Sequence, residues 1–297
     1  MIRNTMIKLI VRTLANRLNI AKQYKSVNRA GDMFAGMFLR VPKTCEISFV
    51  DAGGVPGEWI GHAGPDSGRR IFFIHGGGYV LFSTKIYRDL IYRIARASDA
   101  RVLAVNYRLA PEHPHPAAVD DVMAAYRRLL ETGVKPSRVA VMGDSAGGGL
   151  TLVLLQKLRD KKLPLPACAV CLSPWTDLTL SGAAHRENRV RDPMMRKNIL
   201  HDCIAHYVGT SKPSIPAISP LFGKFSQLPP LLFQVGTEEV LLDDSRMAAE
   251  RAANAGTIAE LQVWPGMIHD FQMWAKVLPD SRRAIRAIGH FVKQHIQ

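Results

Sequence analysis

From about residue 44 onward, short apolar runs alternate with longer stretches whose apolar residues recur at helical spacing. The runs near 45–50, 56–60, 70–75, 102–106, 138–142, 167–172, 230–235 and 260–264 read as strands. The stretches near 84–98, 117–131, 146–159, 244–255 and 281–295 read as helices. Strand and helix in regular alternation predict an α/β fold, with a mostly parallel sheet covered by helices on both faces.

That regularity breaks between Thr176 and Ser219, where Pro193, Pro213 and Pro216 surround one helical stretch, Met195 to Tyr207, and Pro220 follows. An insertion at about 177–218, between two strands of such a sheet, is a natural place for a lid. A second covering segment is expected in residues 1–43. There Arg3, Lys8, Arg12, Arg17, Lys22 and Lys25 interleave with Ile7, Ile10, Val11, Leu14 and Leu18, the spacing of one amphipathic helix. The expected organisation is therefore a cap segment at 1–43 and a main domain at 44–297 that carries the cap insertion.

Composition narrows the partners. The chain has 297 residues, 47% of them apolar, enough for one sizeable core. Its net charge of +14 would suit a polyanion if the basic residues were clustered, but they are spread along the length with no zinc-finger or RNA-binding pattern. No nucleic-acid partner is expected, and the charge reads as a device for solubility. The basic amino-terminal helix reads as a cover over the site, with attachment to a membrane surface as the alternative. No stretch is long and apolar enough for a signal peptide or a spanning helix, so the expectation is a cytoplasmic chain without membrane insertion. Cys168 and Cys171 fall in an apolar strand and, with Cys45 and Cys203, read as reduced thiols.

Candidate chemistry centres on Gly143-Asp144-Ser145-Ala146-Gly147, a G-x-S-x-G pentapeptide between the strand at 138–142 and an apolar helix. A serine at such a turn is lifted to the carboxyl end of the sheet and set at a helix amino terminus, where developing negative charge is favoured. About 70 residues earlier, His75-Gly76-Gly77-Gly78 follows the strand Ile71 to Ile74. Consecutive glycines let N–H groups approach a ligand, so Gly77 and Gly78, completed by Ala146, are the expected oxyanion hole. His75 itself reads as holding the glycine loop, with Arg108 and Glu112 bracing the loop beside it. His113 and His115 lack an evident third ligand, and neither metal nor cofactor is expected.

These motifs, together with Tyr107-Arg108-Leu109-Ala110-Pro111-Glu112 and Ser173-Pro174-Trp175-Thr176-Asp177, resemble the hormone-sensitive-lipase-like branch (family IV) of α/β-hydrolase esterases across about residues 45–290. The resemblance implies the α/β-hydrolase fold with an eight-stranded core, a helical cap and serine carboxylesterase activity. In this fold the triad acid and then the histidine follow the nucleophile. Among the histidines after Ser145, His269 lies just beyond the final strand, where the base belongs, while His290 and His295 sit in the closing helix. The acid is open among Glu238, Glu239, Asp243 and Asp244. Aligning the family's Asp-Pro-Leu on Leu241 points to Glu239, with Asp243 the alternative or else the cap of the helix it begins.

The expected reaction is hydrolysis of a small-molecule ester through an acyl-enzyme, with short acyl chains favoured by a compact cap in which Met194 and Met195 line the acyl pocket or simply pack. A lactone hydrolase or small-molecule deacetylase would use the same triad, and a non-catalytic ligand-binding protein on this fold is a remoter reading. The resemblance also suggests a homodimer paired through the last strand, around Leu261 to Trp264.

Overall fold

The computed structural model describes residues 2–15, 20–38, 41–188, 191–195 and 197–296. Eight strands form one sheet: β1 (Cys45–Asp51), β2 (Pro56–His62), β3 (Arg70–Ile74), β4 (Arg101–Val105), β5 (Val139–Asp144), β6 (Cys168–Leu172), β7 (Leu231–Gly236) and β8 (Ala259–Trp264). Their order is β1-β2-β4-β3-β5-β6-β7-β8. The hairpin of β1 and β2 runs antiparallel and joins β4 antiparallel, and every later pairing is parallel. Ile74 pairs with Gly143, Gly143 with Cys171, and Gly236 with Trp264, so β3, β5, β6, β7 and β8 all end along one edge. That edge carries the site.

Alternation within each strand divides the core in two. Phe72, Val141, Cys171 and Phe233 face α4 (Ala117–Glu131), α5 (Ser145–Asp160) and α8 (Leu242–Asn254). Phe73, Met142, Val170 and Leu232 face α3 (Thr84–Ser98) and α9 (Pro279–His295). The helices thus lie on both faces as the pattern predicts. Because β5, β6 and β7 are buried on both sides, they read in sequence as continuous apolar runs.

The amino-terminal segment departs from expectation. In place of one amphipathic helix there are two, α1 (Ile2–Ala15) and α2 (Ile20–Phe38); Arg17 and Leu18 lie outside the described residues. Each helix docks on a different target. On α1, Ile7 and Val11 are buried against Met267, Ile268 and Phe271, and Lys8 Nζ lies 2.7 Å from Glu238 Oε1. On α2, Asn28 donates to Val80 O and accepts from Phe82 N, while Tyr24 Oη donates to Glu112.

The insertion after β6 carries a short helix, α6 (Ala184–Glu187), that the periodicity did not reveal, and α7 (Lys197–Val208), close to the expected stretch. Tyr207 of α7 stacks on Tyr79 with ring centroids 3.8 Å apart and planes 5° from parallel, joining the insertion to the turn beyond the three glycines. Among the described residues, no helix is long and apolar enough to cross a membrane.

Candidate active site

Ser145 stands at the junction of β5 and α5 with φ 51°, a left-handed conformation that non-glycine residues seldom adopt. Close backbone packing imposes it. A Cβ on Gly147 would lie 2.0 Å from Ile74 O, and one on Gly143 would lie 2.2 Å from Gly147 O. Only glycine lets the first turn of α5 press against the ends of β3 and β5, and the strain at Ser145 is held by that contact.

His269 and Glu239 meet this serine from the loops after β8 and β7. His269 Nε2 is 3.0 Å from Ser145 Oγ, and His269 Nδ1 is 3.0 Å from Glu239 Oε2. All three side chains are buried. Glu239 Oε1 accepts from Ser173 Oγ at 2.8 Å and from Gly236 N at 2.5 Å, so both carboxylate oxygens are engaged. Its backbone is held as well: Asn188 Nδ2 donates to Glu239 O, and Val240 N donates to Asp192 Oδ2.

The other carboxylates of this loop have separate partners. Glu238 pairs with Lys8; Asp244 accepts from Thr176 N and Asp177 N and lies 3.0 Å from His185 Nε2. Asp243 meets neither His269 nor a backbone N–H of its own helix, and its Oδ1 lies 3.6 Å from Arg246 Nη1. Its Oδ2 accepts from Ala184 N, so the expectation that it caps α8 is corrected: it ties α6 to α8 instead, and α8 has no side-chain cap.

The glycine loop lies beside the elbow. His75 Nδ1 sits 2.7 Å from Gly76 O, its ring stacks 4.4 Å from that of Tyr107, and Tyr107 Oη donates to His75 O. Burial pushes His75 down to about 4, so it is neutral at physiological pH and holds the loop as expected. Gly77 and Gly78 have φ of 103° and 63°. At Gly77 a Cβ would lie 2.1 Å from Leu81 O, so the turn needs glycine for space as well as for angle. Arg108 grips Asp121 of α4, and Glu112 grips Tyr24 and Lys25 of α2, which anchors the 107–112 segment at two points.

Several residues at the site escaped the sequence reading. Ser173, Asn188 and Asp192 hold the acid loop; Ser173 lay in a motif with no role given to it, and the other two lie in an insertion without periodicity. Asp270, beside the histidine, has φ 51°, and its Oδ2 is 3.2 Å from His269 Nε2. Asp144, beside the serine, accepts from Gly76 N at 3.0 Å through Oδ1. Met195 is buried in the main core and Met194 packs between it and α1, while both main-chain N–H groups donate to Asp192 Oδ1.

Electrostatics at the histidine are unusual. Burial disfavours its charged form, but the carboxylates of Asp270 and Glu239 outweigh that and hold His269 up to about 10. Burial also raises Glu239 against the opposing pull of His269 and the Gly236 N–H. Among the described residues, no group of three metal-ligating side chains is gathered.

Residues 71–273 match the family described as the alpha/beta hydrolase fold. An acetyl-hydrolase of Streptomyces hygroscopicus is 45% identical over 244 residues, 82% of this chain and 81% of its own length. An esterase of Acinetobacter venetianus is 34% identical over 288 residues, 97% and 93% of the two chains. The crystal structure of an esterase from the bacterial hormone-sensitive lipase family superposes with a TM-score of 0.94 at 40% identity, covering 99% of this chain and 98% of that one.

Proposed function

The chain belongs to the α/β-hydrolase family and, within it, to the hormone-sensitive-lipase-like serine ester hydrolases, and from this premise we propose that it is a carboxylesterase for short acyl esters whose triad is Ser145, His269 and Glu239. The observation that carries the reading is the unbroken chain from Ser145 Oγ through both ring nitrogens of His269 to Glu239, each contact 3.0 Å and each group buried. In the working tautomer Nδ1–H donates to Glu239, leaving Nε2 to accept the Ser145 proton. The alkoxide attacks the ester carbonyl, and the N–H groups of Gly77, Gly78 and Ala146 receive the oxyanion. His269 then passes its proton to the departing alcohol. Water, deprotonated by the same nitrogen, releases the acid from Ser145.

Around this machinery we read residues 1–43 and 177–218 as the cap. Support comes from the contacts of α2 with Val80 and Phe82, of α1 with the segment before His269, and of Tyr207 with Tyr79. A cap bonded to the oxyanion loop leaves little room for long chains. The name of the Streptomyces relative favours a second reading in which the acyl group removed is acetyl from a small molecule other than a simple ester. A homodimer paired through β8, the last strand of the sheet, and a cytoplasmic location consistent with four free thiols complete the proposal.

The test is a chromogenic ester series from acetate to palmitate, run on the wild type, Ser145→Ala and Glu239→Ala. Turnover of acetate to hexanoate that both substitutions abolish supports the reading. Faster cleavage of palmitate refutes the short-chain preference, and activity in Ser145→Ala refutes the triad.

A further inference from the structure

The turn that carries Glu239, residues 237–240, is held from two sides. Thr237 N donates to Trp264 O at 3.0 Å and Glu238 N to Met267 O at 3.1 Å, which ties the start of the turn to β8 and the histidine loop. Three other main-chain groups of the turn are bonded by the insertion after β6. Thr237 O and Glu239 O accept from Asn188 Nδ2 at 3.1 and 2.8 Å, and Val240 N donates to Asp192 Oδ2 at 3.0 Å. Glu239 O and Val240 N belong to one planar peptide unit, so the insertion grips both ends of the plane that follows the acid.

Both insertion residues are buried, and Asp192 N donates to Asn188 O at 2.8 Å, which joins them. Asp192 Oδ1 takes the N–H groups of Met194 and Met195 at 2.9 Å each. Three N–H donors thus converge on the two oxygens of Asp192. A carboxylate, which only accepts, matches all of them, whereas an amide would turn an N–H toward at least one. Asn188 is matched in the opposite sense, with its amide nitrogen on two carbonyl oxygens.

We infer that Asp192 and Asn188 are positioning residues of the catalytic acid, so that the insertion is part of the frame of the triad as well as its cover. The inference rests on the triad reading. Ser173 Oγ and Gly236 N fix the carboxylate of Glu239 at Oε1. Where that side chain starts is set by the peptide plane that Asn188 and Asp192 hold. Releasing the plane lets Glu239 Oε2 drift from its 3.0 Å contact with His269 Nδ1, and the imidazole then loses the partner that fixes its tautomer and orientation.

A double-mutant cycle tests this in the full chain, with each variant checked for cooperative unfolding. Asp192→Asn should lower kcat on a short chromogenic ester about 30-fold, with KM changed by less than about threefold. Added to Glu239→Gln, the same substitution should cost less than about threefold, since a residue that acts through the acid then has nothing left to position. Asn188→Ala, which leaves Asp192 in place, should show the same dependence on Glu239. Ser219→Ala is the control: Ser219 Oγ accepts from Leu178 N and donates to Pro213 O, closing the base of the insertion without meeting the acid turn, so kcat should stay within about threefold. Unchanged kcat in Asp192→Asn, a loss as large on Glu239→Gln as on the wild type, or an equal loss in folded Ser219→Ala would each overturn the inference. Glu239→Gln measured alone reads the triad separately: a loss under about tenfold there overturns the triad reading, so the two failures are told apart.

Discussion

Around Ser145 the geometry is held by backbone pressed on backbone, whereas around Glu239 it is held by a web of side-chain hydrogen bonds. The elbow has nowhere to move: Gly143 and Gly147 stand where any Cβ would overlap a carbonyl oxygen. The acid loop has four carboxylates within seven residues, and its arrangement depends on which donor each one finds: Ser173, Gly236 and His269 for Glu239, Lys8 for Glu238, Ala184 for Asp243, Thr176 and Asp177 for Asp244. Steric exclusion selects one residue type and leaves a motif. Polar satisfaction selects among equivalent groups and leaves a composition, because a buried carboxylate is tolerated wherever donors reach it.

The contrast can be broken at several points. Removing the proposed nucleophile should have the largest effect: Ser145→Ala is expected to lower kcat by roughly 10⁶ while leaving the thermal midpoint within a few degrees, measured by ester turnover and calorimetry. On the acid side, Glu239→Gln keeps the shape but withdraws the charge that stabilises the imidazolium. A fall in kcat of roughly 10⁴ is expected, and a loss under tenfold would mean that another carboxylate serves. Gly147→Ala tests the steric side directly. The added carbon would lie 2.0 Å from Ile74 O, so destabilisation of about 3 kcal/mol or more should appear in denaturant unfolding.

Smaller effects sharpen the picture. Since His269 is held up to about 10 and its base form is the active one, kcat/KM should still be climbing above pH 7 and be at least about tenfold lower at pH 6 than at pH 8. A plateau already reached at pH 6 would contradict the placement of two carboxylates on the ring. Asp243→Ala should change kcat by less than about threefold, because its partners are Ala184 and Arg246 and the cost falls on the seating of α6, visible as a loss of stability of about 1 kcal/mol.

Much of this is legible in the sequence itself. Strand and helix periods located the eight strands and five main helices to within a few residues, and the order Gly-rich loop, elbow, acid loop, histidine placed Ser145 and His269. Glu239 needed alignment on Leu241, since four carboxylates in that loop looked alike. The two amino-terminal helices were read as one, because amphipathic spacing reports a buried stripe and says nothing of a change in what buries it: Ile7 and Val11 meet the histidine loop, and Asn28 meets the turn at Val80.

The sequence by itself determined the sheet and singled out Ser145 and His269 as the candidate nucleophile and base, because those depend on local periods, on motif order and on backbone contacts that only glycine allows. Tertiary structure alone decided that Glu239 meets His269 Nδ1 at 3.0 Å, that Ser173, Asn188 and Asp192 hold it there, and that Asp270 lies 3.2 Å from the other ring nitrogen. Those outcomes are settled by distances of a few ångströms and by which donors the fold brings within reach, because a buried carboxylate is held only where a donor meets it.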